Sequence, residues 1–441
     1  MARTTKQDNV RELQRTLYRA AKADPERRFH ALYDKVLRRD VLERAWKLVR
    51  ANHGAAGIDQ TTIADVEQYG PARLLDELTA DLRDGRWRPL PARRVFIPKP
   101  GREELRPLSI PAVRDRVVQA ALKIVIEPIF EADMLECSFG FRPRRSQRDA
   151  LQVLLDESWS GARWVAESDV ANCFEAIPHS GLMTAIEERI SDRHILKLLR
   201  AMLRAGVMED KAVKRSITGT PQGGVISPVL CNVYLNRVDR QWQTRGSGRL
   251  VRYADDLLAI CKTKRDAENA LEALTAILAE MGLQLKPAKT RIVHLREGGE
   301  GVDFLGFHHR YVRGNTRRSR HLAFLVRWPS RQAMGHARQR IREITARSRL
   351  RVPVEEIVRD LNRFLRGWAG YFRYGNSAQF FDKITLHALR CLAGFIAKRH
   401  KRHKRYGWWV VAHQTPNRMG LINLNGIIAA PRPNRPWRQG S

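Results

Sequence analysis

The stretch Arg252-Tyr253-Ala254-Asp255-Asp256-Leu257 lies between two short apolar runs, Leu250-Val251 before it and Leu257-Leu258-Ala259-Ile260 after it. That pattern reads as two paired strands joined by a tight turn, with two carboxylates at the tip. Neighbouring carboxylates repel and raise each other's pKa unless a cation sits between them, and a hard divalent metal with oxygen ligands is the usual remedy. The plainer explanation is a solvated Asp-Asp turn, because Asp is a common turn residue. What the rest of the chain brings to that tip decides between them.

A third carboxylate is available. Arg163-Trp164-Val165-Ala166-Glu167-Ser168-Asp169 reads as a strand ending on an acid, followed by Val170 to Phe174 and by helix starts near Pro178 and Asp192. Only a folded sheet could bring Asp169 to the distant Asp255. Between them, Ser216 to Gly224 forms a glycine-rich turn that opens a helix through Val225 to Trp242, a context that can cradle phosphate or admit a base. After the Asp-Asp turn come an amphipathic helix from about Lys264 to Met281, the segment Gln284 to Thr290, and a short β element at Asp303 to Phe307. Alternating strands and helices up to about residue 313 indicate an α+β domain with a mainly antiparallel sheet.

Upstream, helical periodicity runs from about Asn9 to Asn52, with a cap at Asp40, and a further helix follows from Pro71 to Asp84. Arg93 to Gly101 and Leu105 to Pro111 read as a basic hairpin, for which an edge hairpin with solvated charges is the plain alternative. A buried helix at Val117 to Ile126 leads to Ser138-Phe139-Gly140-Phe141-Arg142-Pro143-Arg144, where aromatics interleave with arginines. Such residues can stack bases and hold phosphates, or plug a core. Beyond Arg310 arginine becomes frequent, and helices are expected at Ser330–Arg347, Val354–Tyr374 and Ala378–Lys401. The run Lys398 to Arg405 then precedes Tyr406-Gly407-Trp408-Trp409, which makes a solvated face and an RNA contact both reasonable.

Charge narrows the partner. The 441 residues carry 80 Lys and Arg against 47 Asp and Glu, a net +33, which calls for a polyanion, and nucleic acid fits best. No run of 18 apolar residues occurs, so a membrane partner is not expected. Cys137, Cys173, Cys231, Cys261 and Cys391 are scattered without CxxC spacing, which indicates neither a zinc site nor a disulfide framework.

Three carboxylates are what two-metal phosphoryl transfer needs. Here the chain resembles reverse transcriptases, and more closely the intron-encoded proteins of bacterial group II introns. The matching pieces occur in the family's order: Ile97-Pro98-Lys99-Pro100, Arg106-Pro107-Leu108, Ser138 to Pro143, Asp169 with Phe174, Thr220 to Gly224, Tyr253 to Asp256, Lys286 to Thr290 and Phe304 to Phe307. Gly367-Trp368-Ala369-Gly370-Tyr371-Phe372 resembles the maturase region, or thumb.

The resemblance implies a right-hand polymerase: an N-terminal helical extension (1–60), fingers and palm with an antiparallel palm sheet (61–313), an all-helical thumb (314–410) and a tail (411–441). It implies that Asp169, Asp255 and Asp256 bind two Mg²⁺ ions, that Lys289 protonates pyrophosphate, and that Lys99, Arg106, Phe174 and Gln222 bind the nucleotide. Phe304, Leu305, Gly306 and Phe307 would grip the primer. Arg142, Arg144, Arg366, Arg373, Lys398, Arg399, Lys401, Arg402, Lys404 and Arg405 would contact RNA. The expected partners are group II intron RNA, an RNA template with DNA primer, deoxynucleoside triphosphates and target DNA, in a cytoplasmic, nucleoid-associated ribonucleoprotein. A splicing factor with a vestigial polymerase, or a domesticated enzyme of defence or repair, is the alternative.

Two departures stand out. Many relatives end in a zinc-containing endonuclease module, whereas this C-terminus lacks paired cysteines, so second-strand cleavage is not expected. Cys173 stands where the family often has an aromatic, while Asp169 and Phe174 are kept.

Overall fold

The computed structural model describes residues 6–98, 105–209, 212–214, 217–220, 223–314, 317, 320–413, 418–424 and 426–429. The chain opens with α1 (Lys6–Ala23), α2 (Tyr33–Val36), α3 (Arg39–Ala51), α4 (Ile63–Tyr69) and α5 (Pro71–Arg83), then forms β1 (Ala92–Pro98) and β2 (Leu105–Ile110). Next come α6 (Val113–Glu131), α7 (Gln147–Trp159), β3 (Trp164–Asp169), α8 (Cys173–Ala176), α9 (His179–Glu187), α10 (Arg193–Arg204), β4 (Val207–Glu209) and β5 (Ala212–Lys214). The remaining mixed part holds α11 (Ser227–Arg245), β6 (Arg249–Tyr253), β7 (Asp256–Cys261), α12 (Lys264–Glu280), β8 (Arg291–His294), β9 (Val302–Phe304), β10 (Phe307–Arg313) and β11 (Ala323–Pro329). Four helices finish it: α13 (Arg331–Ile344), α14 (Val354–Phe372), α15 (Ala378–Arg399) and α16 (Lys404–His413).

The central sheet runs in the order β6-β7-β3-β8, antiparallel throughout. Its middle strands are apolar at consecutive positions because both faces are covered, and side chains of a strand alternate between faces. Leu257, Ala259 and Cys261 join one core with the N-terminal helices, whereas Leu258 and Ile260 join a second core with the C-terminal helices. By the same alternation Asp169 and Asp256 share the face of Val165 and Ile260. The carboxylates therefore open toward the side that the C-terminal helices close.

The described N-terminal helices, from Lys6 on, pack into the core. Helix α3 buries Val41, Leu42, Ala45, Trp46 and Val49, and together with α1 it packs on α6, whose sequence is apolar nearly all round because it lies inside that core. Helix α3 starts earlier than the sequence suggested, with Arg38 as its cap, and Asp40 sits in the first turn paired to Arg38 at 2.7 Å. A carboxylate there complements the positive end of the helix dipole. The basic hairpin forms one end of a four-stranded sheet ordered β2-β1-β4-β5, in which β1 pairs with β2 on one side and in parallel with β4 on the other while β2 stays at the edge.

The boundary expected at 313 falls inside a hairpin. Strands β10 and β11 pair from Phe307↔Pro329 to Arg313↔Ala323, within a sheet ordered β11-β10-β9, so the all-helical part begins only at Arg331. In that part α14 turns Ile357, Leu361, Leu365, Trp368 and Phe372 inward at helical spacing. Among the described residues no helix is long and apolar enough to cross a membrane.

Candidate active site

Pairing of β3 with β7 sets Asp169 directly opposite Asp256, and Tyr253 pairs with Asp256 across the two-residue turn Ala254-Asp255. Ala254 turns the chain at φ 56°, in the left-handed region that disfavours a side chain, and the Asp255 carbonyl accepts from the Val170 amide at 3.1 Å. Asp169 and Asp256 thus face each other from adjacent strands, with Asp255 in the turn beside them. Asp255 is pushed up to about 6, first by burial and then by the charges of Asp169 and Asp256. Burial also lifts Asp256 above the usual carboxylate range, although Lys289 pulls the other way.

Lys289 is delivered by a 3-10 turn, Pro287–Lys289, which is anchored where the Lys286 amide donates to the Asp169 carbonyl at 2.7 Å. Its Nζ lies 2.6 Å from Asp169 Oδ2 and 3.4 Å from Asp256 Oδ1. Burial acts to lower the pKa of this ammonium, yet the two carboxylates outweigh it and the net direction is upward. Asp169 Oδ1, by contrast, is buried without a hydrogen-bond partner. Among the described residues no three His, Cys, Asp or Glu side chains are close enough to form a complete metal cage, and the lysine bridges two of the acids.

The nucleotide-side residues come from separate elements. Arg106 stands exposed on β2, opposite Ile97. Lys99 and Gln222 lie outside the described residues. Gly223 (φ 110°) approaches so closely that a Cβ there would lie 2.6 Å from the Ser109 carbonyl, so the glycine-rich turn meets β2. Phe174 is half-buried and turns its ring edge-to-face to Phe141 at 6.5 Å.

The Phe304 to Phe307 segment divides its labour. Phe304 and Phe307 are buried anchors, so their rings cannot touch a primer, whereas Leu305 (φ 49°) and Gly306 (φ 76°) carry the turn outward. Tyr371 of α14 donates its hydroxyl to the Leu305 carbonyl at 2.8 Å and stacks on Phe307 at 5.8 Å. That contact ties the C-terminal helices to the catalytic face. The Tyr371 hydroxyl is pushed up to about 12 by burial and then by Tyr253 and Asp256, which places it within the field of the carboxylates.

Two expected RNA contacts are corrected. The side chain of Arg142 is 5% exposed, paired with Glu131 at 2.7 Å and donating to the carbonyls of Leu135 and Ser138 at 2.6 and 2.8 Å, so it braces its own loop. Arg399 donates to the carbonyls of Leu350 and Val352, both at 2.6 Å, and closes the turn after α13. Arg144, Arg366 and Arg373 are exposed, as are Lys398, Lys401, Arg402, Lys404 and Arg405 around the turn joining α15 to α16. Trp408 and Trp409 beside that turn are exposed too.

Two groups at this site were not anticipated from the sequence: Tyr371 as a tether, and the pair Arg252 with Asp239 beneath the turn. The visible signal for the second was a lone arginine inside the apolar run Leu250-Val251-Arg252.

Residues 97–309 match the family described as reverse transcriptase (RNA-dependent DNA polymerase), and the chain is an RNA-directed DNA polymerase. Residues 334–413 match the group II intron, maturase-specific domain. Protein YkfC of Escherichia coli is 34% identical over 351 residues, 70% of this chain and 90% of that protein. Group II intron-encoded protein LtrA of Lactococcus lactis subsp. cremoris is 35% identical over 212 residues, 48% of this chain and 35% of LtrA. The chain belongs to the group II intron reverse transcriptase and maturase family, which couples RNA-directed DNA synthesis to a role in splicing.

Proposed function

We propose that this chain copies RNA into DNA by nucleotidyl transfer at Asp169, Asp255 and Asp256 and holds group II intron RNA on its C-terminal helices for splicing, serving intron mobility into target DNA. In this reading the central sheet is the palm, the β1–β2 hairpin belongs to the fingers and α13 to α16 form the thumb. The observation that carries it is the pairing of Asp169 opposite Asp256 with Asp255 in the adjoining turn, where Asp255 is pushed up to about 6 by burial and by the charges of Asp169 and Asp256, and Asp169 Oδ1 lacks a partner. Excess buried negative charge of this kind fits two magnesium ions held by Asp169, Asp255 and Asp256. When bound, magnesium supplies the charge that favours attack by the primer hydroxyl and departure of pyrophosphate.

The chain's own groups do the rest. Lys289 keeps its proton beside Asp169 and Asp256, and its Nζ is the donor for the departing pyrophosphate. Arg106, with Lys99, holds the triphosphate; Gln222 lines the base pocket. Phe174 fills the space a ribose 2′-hydroxyl would need. The Leu305-Gly306 backbone supports the primer end, fixed from behind by Phe304, Phe307 and Tyr371. Arg144, Arg366, Arg373 and the cations from Lys398 to Arg405, other than Arg399, give the distributed phosphate contacts that bind RNA.

The test is separation of function. Asp255→Ala with Asp256→Ala should lower primer extension on an RNA template by about a thousandfold or more, since both metal ligands are lost. RNA affinity, measured on the same preparation, should stay close to wild type. A parallel collapse of both would contradict the proposal.

A further inference from the structure

Beneath the Asp255-Asp256 turn lies a charged cluster sealed from solvent. Arg252 and Asp239 both have side-chain exposures of 0%. Arg252 Nε donates to Asp239 Oδ1 at 2.7 Å, and a second bond runs in parallel from Nη2 to Oδ2. Its Nη1 reaches Asn232 Oδ1 at 3.0 Å and the carbonyl of Ala254 at 3.3 Å. Asn232 and Asp239 stand two turns apart on α11, so one helix face presents both acceptors.

The cluster grips the turn from a second side as well. Asn232 Nδ2 donates to the Gly140 carbonyl at 2.8 Å, and a Cβ on Gly140 would overlap the amide nitrogen of Ala254. Backbone bonds from Arg252 to the Cys137 carbonyl (2.7 Å) and from Phe139 to the Arg252 carbonyl (2.9 Å) hold that loop against β6. Ala254, which adopts a positive φ without being glycine, is thereby fixed between Arg252 and Gly140.

Stability alone does not account for this choice of residues, because well-packed apolar side chains of similar volume stabilise a fold as well as a buried ion pair or better. What a forked guanidinium supplies and a methionine does not is direction. We propose that Arg252, with Asp239 and Asn232, is a positioning unit that sets the backbone of the Ala254-Asp255 turn and so aims the Asp255 and Asp256 carboxylates at the metals. The inference rests on the reading of those two residues as metal ligands.

The decisive variant replaces the pair by apolar residues, Arg252→Met with Asp239→Leu. Four quantities are measured: melting temperature without metal, affinity for an oligo(rA) template annealed to an oligo(dT) primer, Mn²⁺ affinity by electron paramagnetic resonance, and single-turnover extension. Positioning gives a folded variant with unchanged template affinity but weaker Mn²⁺ binding and extension slowed about tenfold to a hundredfold, at a lower melting temperature because Asn232 Oδ1 and the Ala254 carbonyl lose their donor. Gly140→Ala, which presses on the Ala254 backbone while leaving every charge in place, should weaken Mn²⁺ binding and slow extension likewise, with a lower melting temperature because backbone must shift, and it serves if the double variant does not fold. Wild-type Mn²⁺ affinity and extension in either folded variant would overturn the inference. Asp255→Ala run alongside separates the two failures: if it abolishes extension while the other variants keep it, only the positioning unit falls, and if it too keeps extension, the metal-ligand reading falls and takes the inference with it.

Discussion

Two turns meet on the catalytic face, and they are built from opposite materials. The Ala254-Asp255 turn presents charge and rests on buried charge, Arg252 with Asp239. The Leu305-Gly306 turn presents backbone and rests on apolar rings, Phe304 and Phe307, with one hydroxyl from Tyr371. Both contain a non-glycine residue at positive φ, Ala254 and Leu305, so both need holding. The difference follows from what each must present. Carboxylates have to be aimed, which takes directional bonds, whereas a supporting ledge only has to stay in place, which packing achieves.

The largest effect belongs to the aromatic ledge. Phe307→Ala should cost about 3–5 kcal/mol of stability through lost burial and a residual cavity. Chemical denaturation would measure it, and the surviving folded fraction should extend a primer more slowly, because the Leu305-Gly306 ledge loses a ring that fixes it from behind. A loss under about 1 kcal/mol would mean that the ledge is held by something other than its core rings.

The charged turn should behave in the reverse sense. Asp255 keeps its proton to about pH 6 in the folded chain against 3.8 ordinarily. The folded state therefore binds that proton more tightly, and the stability it contributes is full below pH 3.8 and lost as the pH rises through about 6. Without metal at pH 7.5, Asp255→Asn should be more stable than the wild type by about 1–2 kcal/mol, after discounting for partial exposure, while losing extension. The gain should shrink as the pH falls toward 4. A variant less stable than wild type at pH 7.5 would remove the claim that charge is crowded there.

Tyr371→Phe is the smallest change. It keeps the stack on Phe307 and deletes only the bond to the Leu305 carbonyl, for a loss of about 1 kcal/mol and a few-fold fall in extension, with RNA affinity unchanged. An equal fall in RNA affinity would make Tyr371 part of the RNA surface instead.

Much of this was readable in the chain. The strand-turn-strand around Asp255, the acid ending β3 and the helical periodicity of α12, α14 and α15 all rest on local spacing. What local spacing cannot show is partnership. Arg142 sits among aromatics as a nucleic-acid contact would, and only folding brings Glu131 to it. Strand β11 was hidden because Arg327, 2% exposed, looks in sequence like one more solvated arginine, whereas it donates to the carbonyls of Tyr374 and Leu151 at 2.8 Å each. The N-terminal helices announced their apolar faces but not that α6 would receive them.

The central claim is that Asp169, Asp255 and Asp256 form one metal site. Titrating Mn²⁺ by electron paramagnetic resonance into the protein bound to primer, RNA template and a non-hydrolysable deoxynucleotide measures this without catalysis. Each of Asp169→Asn, Asp255→Asn and Asp256→Asn should weaken or abolish Mn²⁺ binding while the nucleic acid stays bound. Wild-type Mn²⁺ stoichiometry and affinity in any of the three would contradict the account.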